Sequence, residues 1–179
     1  MPIYGVTIYL DRIACQQAGG VSCRAMELYQ VDEAGRLFIS PALDTWDPLE
    51  ERGIDVVIDL EGGLDSCIPT RTNNCLYLYF PIDDDDLELP CVAKLRAIAR
   101  LGATLIADGH RVLSHCGMGF NRSALVAGMI LVELGVPGPA AVDQLRACRP
   151  GALFNDRFAE FVAGLAPSTA TESAYNPRA

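Results

Sequence analysis

The chain has 179 residues, half of them hydrophobic, which suits one domain of ordinary size with a real core. A formal charge of −9 and a pI of about 4.6 argue against a non-specific nucleic-acid binder or a protein drawn to anionic lipid. The longest apolar block, "ALVAGMILVEL" at residues 124–134, is interrupted by Glu133 and falls short of the eighteen or so residues of a membrane span. The first residues, "MPIYGVTIYLDR", carry no basic segment ahead of an apolar one, so a soluble cytoplasmic protein is expected.

Along the chain, "GVTIYL" (residues 5–10) and "RLFIS" (residues 36–40) read as strands. The stretch between them mixes glycine and polar residues and supports no assignment. "DTWDPLEERG" (residues 44–53) has helix-start signals and ends on Gly53. "IDVVIDL" (residues 54–60) is β-branched and almost continuously apolar, as a buried strand is. "CLYLYFPI" (residues 75–82) is a further strand, stopped by Pro81 and a run of aspartates. Residues 89–109 place Val92, Leu95, Ile98, Ala99 and Leu105 at helical spacing, with Pro90 near the start. "RVLSH" (residues 111–115) is a short strand, and a helix follows from about Arg122 to Leu134. "PAAVDQLRAC" and "FNDRFAEFVAGL" read as two final helices. This alternation predicts an α/β sandwich, a central mostly parallel sheet flanked by helices. A single domain over residues 1–166 and a disordered polar tail over residues 167–179 are expected.

Seven cysteines are present without a C-x-x-C pair, and only two histidines, His110 and His115. Neither a zinc knuckle nor a thioredoxin-type motif is supported, and no metal centre is expected.

The chemistry concentrates in "HCGMGFNRS", residues 115–123. A strand delivers Cys116. Gly117, Met118, Gly119, Phe120 and Asn121 follow, and Arg122 opens an apolar helix. A chain turning sharply into a helix aims successive N–H groups inward and builds a cradle for a tetrahedral oxyanion. Gly117 and Gly119 permit close backbone approach. Arg122 holds two phosphate oxygens through its planar fork. A thiol at a helix N-terminus beside cationic groups is shifted from about 8.5 toward roughly 3.5–7.5, so Cys116 is expected to attack as a thiolate. Ser123 is placed to hydrogen-bond the sulfur, and His115 to orient the loop rather than to act as a base. The leaving group needs an acid, and "PIDDDD" (residues 81–86) supplies carboxylates on a loop after a strand.

These segments resemble the cysteine-based protein tyrosine phosphatases, above all their compact dual-specificity group. "HCGMGFNRS" is similar to the HC-x5-R-[ST] signature. "RLFISPALDTW…ERGIDVVIDL", "YFPIDDDD" and "LRACRPGALFNDRF" resemble the group's early strands, its general-acid segment and its arginine-proline-glycine helix junction. Together they span roughly residues 36–161 in the family's order. The resemblance implies Cys116 as nucleophile, Arg122 as phosphate clamp, Gly117 to Asn121 as backbone cradle and Ser123 as partner of the thiolate. It implies one of Asp83, Asp84, Asp85 and Asp86 as acid; a "Pro-Ile-x-Asp" match selects Asp84, whereas Asp86 fits relatives with a longer loop. Asn155 matches a position near the site in some relatives. Low-molecular-weight phosphatases carry the cysteine near the N-terminus, and rhodanese-like phosphatases lack the upstream aspartate segment.

The reading is thus a phosphatase acting on phosphate monoesters, phosphotyrosine or phosphoserine/threonine in a protein or a small ester, with no cofactor. A loop without lysine and an acidic chain favour a monophosphate over a polyphosphorylated lipid. Two alternatives stand beside it. "GFNRS" resembles the loop of RNA 5′-triphosphatases, which work without an upstream aspartate and need a basic channel. A phosphate-binding module without turnover is the other.

Overall fold

The computed structural model describes residues 27–66, 68–69 and 74–168. The expected strand at residues 5–10, the cysteines Cys15, Cys23 and Cys67, and tail residues 169–179 lie outside the described residues. Of the tail's start, Ser168 donates its N–H to the carbonyl of Val132 at 3.1 Å.

Among the described residues, five strands form one sheet in the order β1-β2-β5-β3-β4. They are β1 (Tyr29–Gln30), β2 (Leu37–Ser40), β3 (Val56–Asp59), β4 (Leu76–Tyr79) and β5 (Val112–His115). Only β1 runs antiparallel, pairing Tyr29 with Ile39. β2, β3, β4 and β5 run parallel, with Ser40 and Asp59 flanking His115. The expected mostly parallel sheet is therefore present, and β1 is an addition. Two residues in a polar surrounding carry too short a pattern to be read as a strand.

Why the strands look continuously apolar is visible in β3. Val56 and Ile58 face one hydrophobic cluster and Val57 faces another, because successive side chains alternate across a strand. Both faces are covered, so each position is apolar. On one side lie α2 (Val92–Ala107), α3 (Arg122–Glu133), α4 (Gly138–Cys148) and α5 (Asp156–Ala163). On the other lie α1 (Asp47–Arg52), Trp46 and Leu43. Gly53 ends α1 in the left-handed region at φ 61°, as its position after the helix requires. β4 lies at one edge of the sheet and leaves Leu76 and Tyr79 exposed.

Helix α3 is buried at every residue from Ser123 to Val132. Such a helix is central rather than amphipathic. Its neighbours approach so closely that a Cβ on Gly128 would meet Val162 at 2.9 Å, and one on Gly102 of α2 would meet Ile130 at 2.7 Å. Each fully buried Leu or Ile here contributes about 1.5–3 kcal/mol. The helix that carries Arg122 at its first position is thereby firmly held in the core. Among the described residues, no helix is long and apolar enough to cross a membrane.

Candidate active site

In parallel α/β sheets, ligands meet the protein beyond the carboxyl ends of the strands. Four such ends converge here: Ser40–Pro41, Asp59–Glu61, Phe80–Asp84 and His115–Cys116. β5 is the middle strand, so its C-terminal Cys116 emerges at the centre.

The loop from Cys116 to Asn121 is held from outside by its carbonyls. Gly117 O accepts from Ala42 N at 3.3 Å, Phe120 O from Leu153 N at 2.9 Å, and Met118 O from the Arg149 guanidinium at 2.8 Å. Two of its amides point the other way. Gly119 N–H donates to Cys116 Sγ at 3.2 Å, and Gly117 N–H donates to the Glu61 carboxylate. Gly119 is glycine for two reasons: its φ is +68°, and a Cβ would sit 2.4 Å from the backbone of Ser40. At Gly117 the reason is different. A Cβ there would lie 2.6 Å from Glu61 Oε2, so the missing side chain makes room for an anion's approach.

Cys116 is buried, and Sγ lies 3.5 Å from Ser123 Oγ. Arg122 is turned inward. Nη1 donates to the carbonyls of Leu60 and Ile82, both at 3.3 Å, and Nη2 meets Glu61 Oε2 at 2.8 Å. Its Nε is buried and has no hydrogen-bond partner. A guanidinium offers Nε and Nη2 as one edge of its fork. One half of that edge holds a carboxylate and the other half is unsatisfied, as suits an oxyanion with more than one oxygen.

Of the four aspartates, the loop engages Asp84. Its Oδ2 accepts from Asn121 Nδ2 and its Oδ1 from Asn155 Nδ2, both at 2.9 Å. Asn155 is also the cap of α5, where its Oδ1 accepts from Phe158 N at 3.1 Å, and its own N–H donates to Asn121 Oδ1 at 3.0 Å. One chain of amides therefore ties the acidic loop, the cysteine loop and α5 together. Asp85 caps its own turn through Leu87 N at 2.6 Å. Asp83 and Asp86 are exposed.

His115 is fully buried behind the cysteine. Its Nε2 lies 3.0 Å from Asp65 Oδ2 and 3.6 Å from Asp59 Oδ1, close approaches without hydrogen-bond alignment. The Tyr77 hydroxyl bridges the same carboxylates, at 2.5 Å from Asp59 and 2.8 Å from Asp65. Burial pushes the imidazole below its ordinary value, against the upward pull of Asp65 and Asp59. Burial, with the hydrogen bond to Asp59, raises the Tyr77 phenol. The expected orienting histidine thus sits in a polar network that the sequence reading did not include.

Sequence reasoning also missed Glu61, and it read Arg149 only as part of the arginine-proline-glycine junction, not as a partner of the loop. Glu61 directly follows the "VVIDL" strand, and the strand-end rule would have placed it at the site. Arg149 lies 3.9 Å over the Phe120 ring and 4.3 Å over Tyr29, clamping the outside of the loop. Its segment is marked locally by Pro150 and Gly151, but its contacts with Met118, Phe120 and Tyr29 are remote in sequence.

No protein-family model and no curated protein sequence matches the chain. Solved structures do. A point variant of human DUSP28 superposes with a TM-score of 0.65 at 21% identity, over 76% of this chain and 93% of that one. Tk-PTP, in its active form, reaches a TM-score of 0.58 at 28% identity, over 74% and 91%. PTPMT1 in complex with PI(5)P gives 0.62 at 16%, over 76% and 92%. This chain has the fold of the cysteine-based protein tyrosine phosphatase superfamily, in the compact form of its dual-specificity group.

Proposed function

We propose that the protein is a phosphatase that hydrolyses phosphate monoesters through a phosphocysteine intermediate, with phosphorylated tyrosine, serine or threonine in a protein as the substrate class. The observation that carries this reading is the set of polar groups gathered around one sulfur and its loop. The Gly119 amide and the Ser123 hydroxyl lie at Sγ, and the inward edge of the Arg122 guanidinium lies beside the loop.

In the first step the Cys116 sulfur anion attacks phosphorus from the side opposite the ester oxygen. The S–P bond forms as the P–O bond breaks. Arg122 and the loop amides stabilise the equatorial oxygens, where charge is carried in the transition state. Asp84 gives its proton to the departing oxygen. In the second step Asp84, now a carboxylate, takes a proton from water as that water attacks phosphorus. The S–P bond breaks, the electron pair returns to sulfur, and Ser123 donates a hydrogen bond to it. Phosphate leaves.

Asn121 and Asn155 give Asp84 its preference over Asp83, Asp85 and Asp86. An acid held in this way favours the monoester reaction over the RNA 5′-triphosphatase alternative, which has no use for one. The loop "GMGFN" offers no lysine for a second phosphate, which favours a singly phosphorylated group. The test is hydrolysis of p-nitrophenyl phosphate and of phosphotyrosine and phosphoserine peptides. Turnover is expected for the unaltered chain and none for Cys116→Ser; turnover that survives this change rejects the mechanism.

A further inference from the structure

We propose that Glu61 is an intramolecular competitor for the phosphate site, a carboxylate that occupies the anion cradle until a phosphoryl group displaces it. The proposal rests on the phosphatase reading above, since it assigns the occupant of that same cradle. Three observations carry it. Glu61 Oε2 accepts at once from the Gly117 amide and from Arg122 Nη2, a loop amide and the inner edge of the clamp. A side chain at position 117 would push that oxygen from its present place, since it comes within 2.6 Å of the Cβ position. The third is the unsatisfied buried Nε of Arg122, beside the occupied Nη2. A carboxylate that engages one half of the fork leaves the other half to a larger oxyanion.

The carboxylate is built to leave. Its side chain is 35% exposed, while the Arg122 side chain beneath it is 17% exposed. Gly62 and Gly63 follow it directly. Open space surrounds the Cβ position of both, and Gly63 stands at φ +130°. Two such residues let the segment after β3 swing without unpacking the core. On the other side, Glu61 N–H is anchored to Asp59 Oδ1 at 2.8 Å. The pivot is therefore at the side chain and the glycine pair rather than in the strand.

A pre-equilibrium of this kind sets affinity by population. The apparent dissociation constant equals the intrinsic one divided by the fraction of molecules with an open cradle. A carboxylate that holds the cradle about nine-tenths of the time weakens phosphate binding about tenfold. Turnover of the bound ester is unaffected, because the displaced side chain no longer touches the reacting atoms.

A merely supporting role predicts the opposite sign. If Glu61 serves to hold the guanidinium in place, its loss frees Arg122 and weakens phosphate binding. The experiment is calorimetric titration of inorganic phosphate into the full chain carrying Cys116→Ser, with and without Glu61→Gln, and with Glu61→Ala as a second variant. Thermal melting of each establishes that it is folded. The proposal predicts phosphate binding about tenfold tighter in both variants, and a matching fall in KM with little change in kcat when Cys116 is restored. Equal or weaker binding in the folded variants overturns it. Absence of phosphate binding in all three forms overturns the phosphatase reading itself, and the two failures are thereby separate.

Discussion

The floor and the rim of the site are built by different means. At the floor, residues 115–123 form a continuous strand–loop–helix fixed by backbone and packing: a positive φ at Gly119, a close backbone contact at Ser40, and a helix buried from Ser123 to Val132. At the rim, Glu61 and Asp84 are exposed or half-buried side chains held by residues far away in sequence, Arg122, Asn121 and Asn155. The floor is positioned by packing, which is rigid. The rim is positioned by hydrogen bonds, each worth only about 0.5–3 kcal/mol net. On the proposed mechanism, a rigid Cys116 beneath a more adjustable Asp84 and Glu61 suits a reaction in which the ester must enter and the phosphate must leave.

Substitutions sharpen this contrast. The largest effect is expected at the floor: Cys116→Ser lowers kcat for p-nitrophenyl phosphate by about four orders of magnitude or more, with an unchanged melting temperature. Gly119→Ala strikes the same region by geometry, since its Cβ meets backbone that cannot yield. It should cost about 1–3 kcal/mol in denaturant unfolding and remove most of the activity. At the rim, Asp84→Asn is expected to lower kcat by about 10²–10⁴-fold. The loss should grow with the basicity of the leaving group across a series of aryl phosphates. Asp83→Asn and Asp86→Asn should stay within about twofold; if either matches Asp84→Asn, the amide chain from Asn121 and Asn155 selects the wrong carboxylate. Smallest is a stability effect behind the floor. His115 has a folded value below its ordinary one, so the unfolded chain binds the extra proton. Stability is therefore intact above about pH 6.5 and falls as pH drops below it, by at most about 1.4 kcal/mol per pH unit from this group. Urea unfolding at several pH values should show a shallower fall for His115→Gln, provided that variant keeps its native circular dichroism.

The same contrast explains what was legible in the sequence. β2, β3 and β5 are marked by short apolar runs, α2 by its 3.6 spacing, and α1 by Gly53 at its end. The cysteine loop is marked by its own residues because the cysteine, the glycines and the arginine lie within nine positions, although Ser40, Ala42, Arg149 and Leu153 constrain it from outside. Asp84 could be named from the four aspartates only by matching a pattern, since the distinction between them resides in Asn121 and Asn155. Asp59, Asp65, Tyr77 and His115 come together only once β3, β4 and β5 are paired. Glu61 was passed over because a glutamate before two glycines looks like an ordinary strand end. What places it in the cradle is Arg122, sixty-one residues later.

The most direct measurement is the covalent intermediate. The protein is mixed with a rapidly cleaved aryl phosphate, quenched in acid during any turnover, digested, and the peptide containing Cys116 weighed. The account predicts one phosphoryl group on the Cys116 sulfur of the unaltered chain, formed at a rate no slower than kcat, and none on Cys116→Ser. Steady turnover with Cys116 unmodified at every quench time, or with the phosphoryl group on another residue, contradicts it.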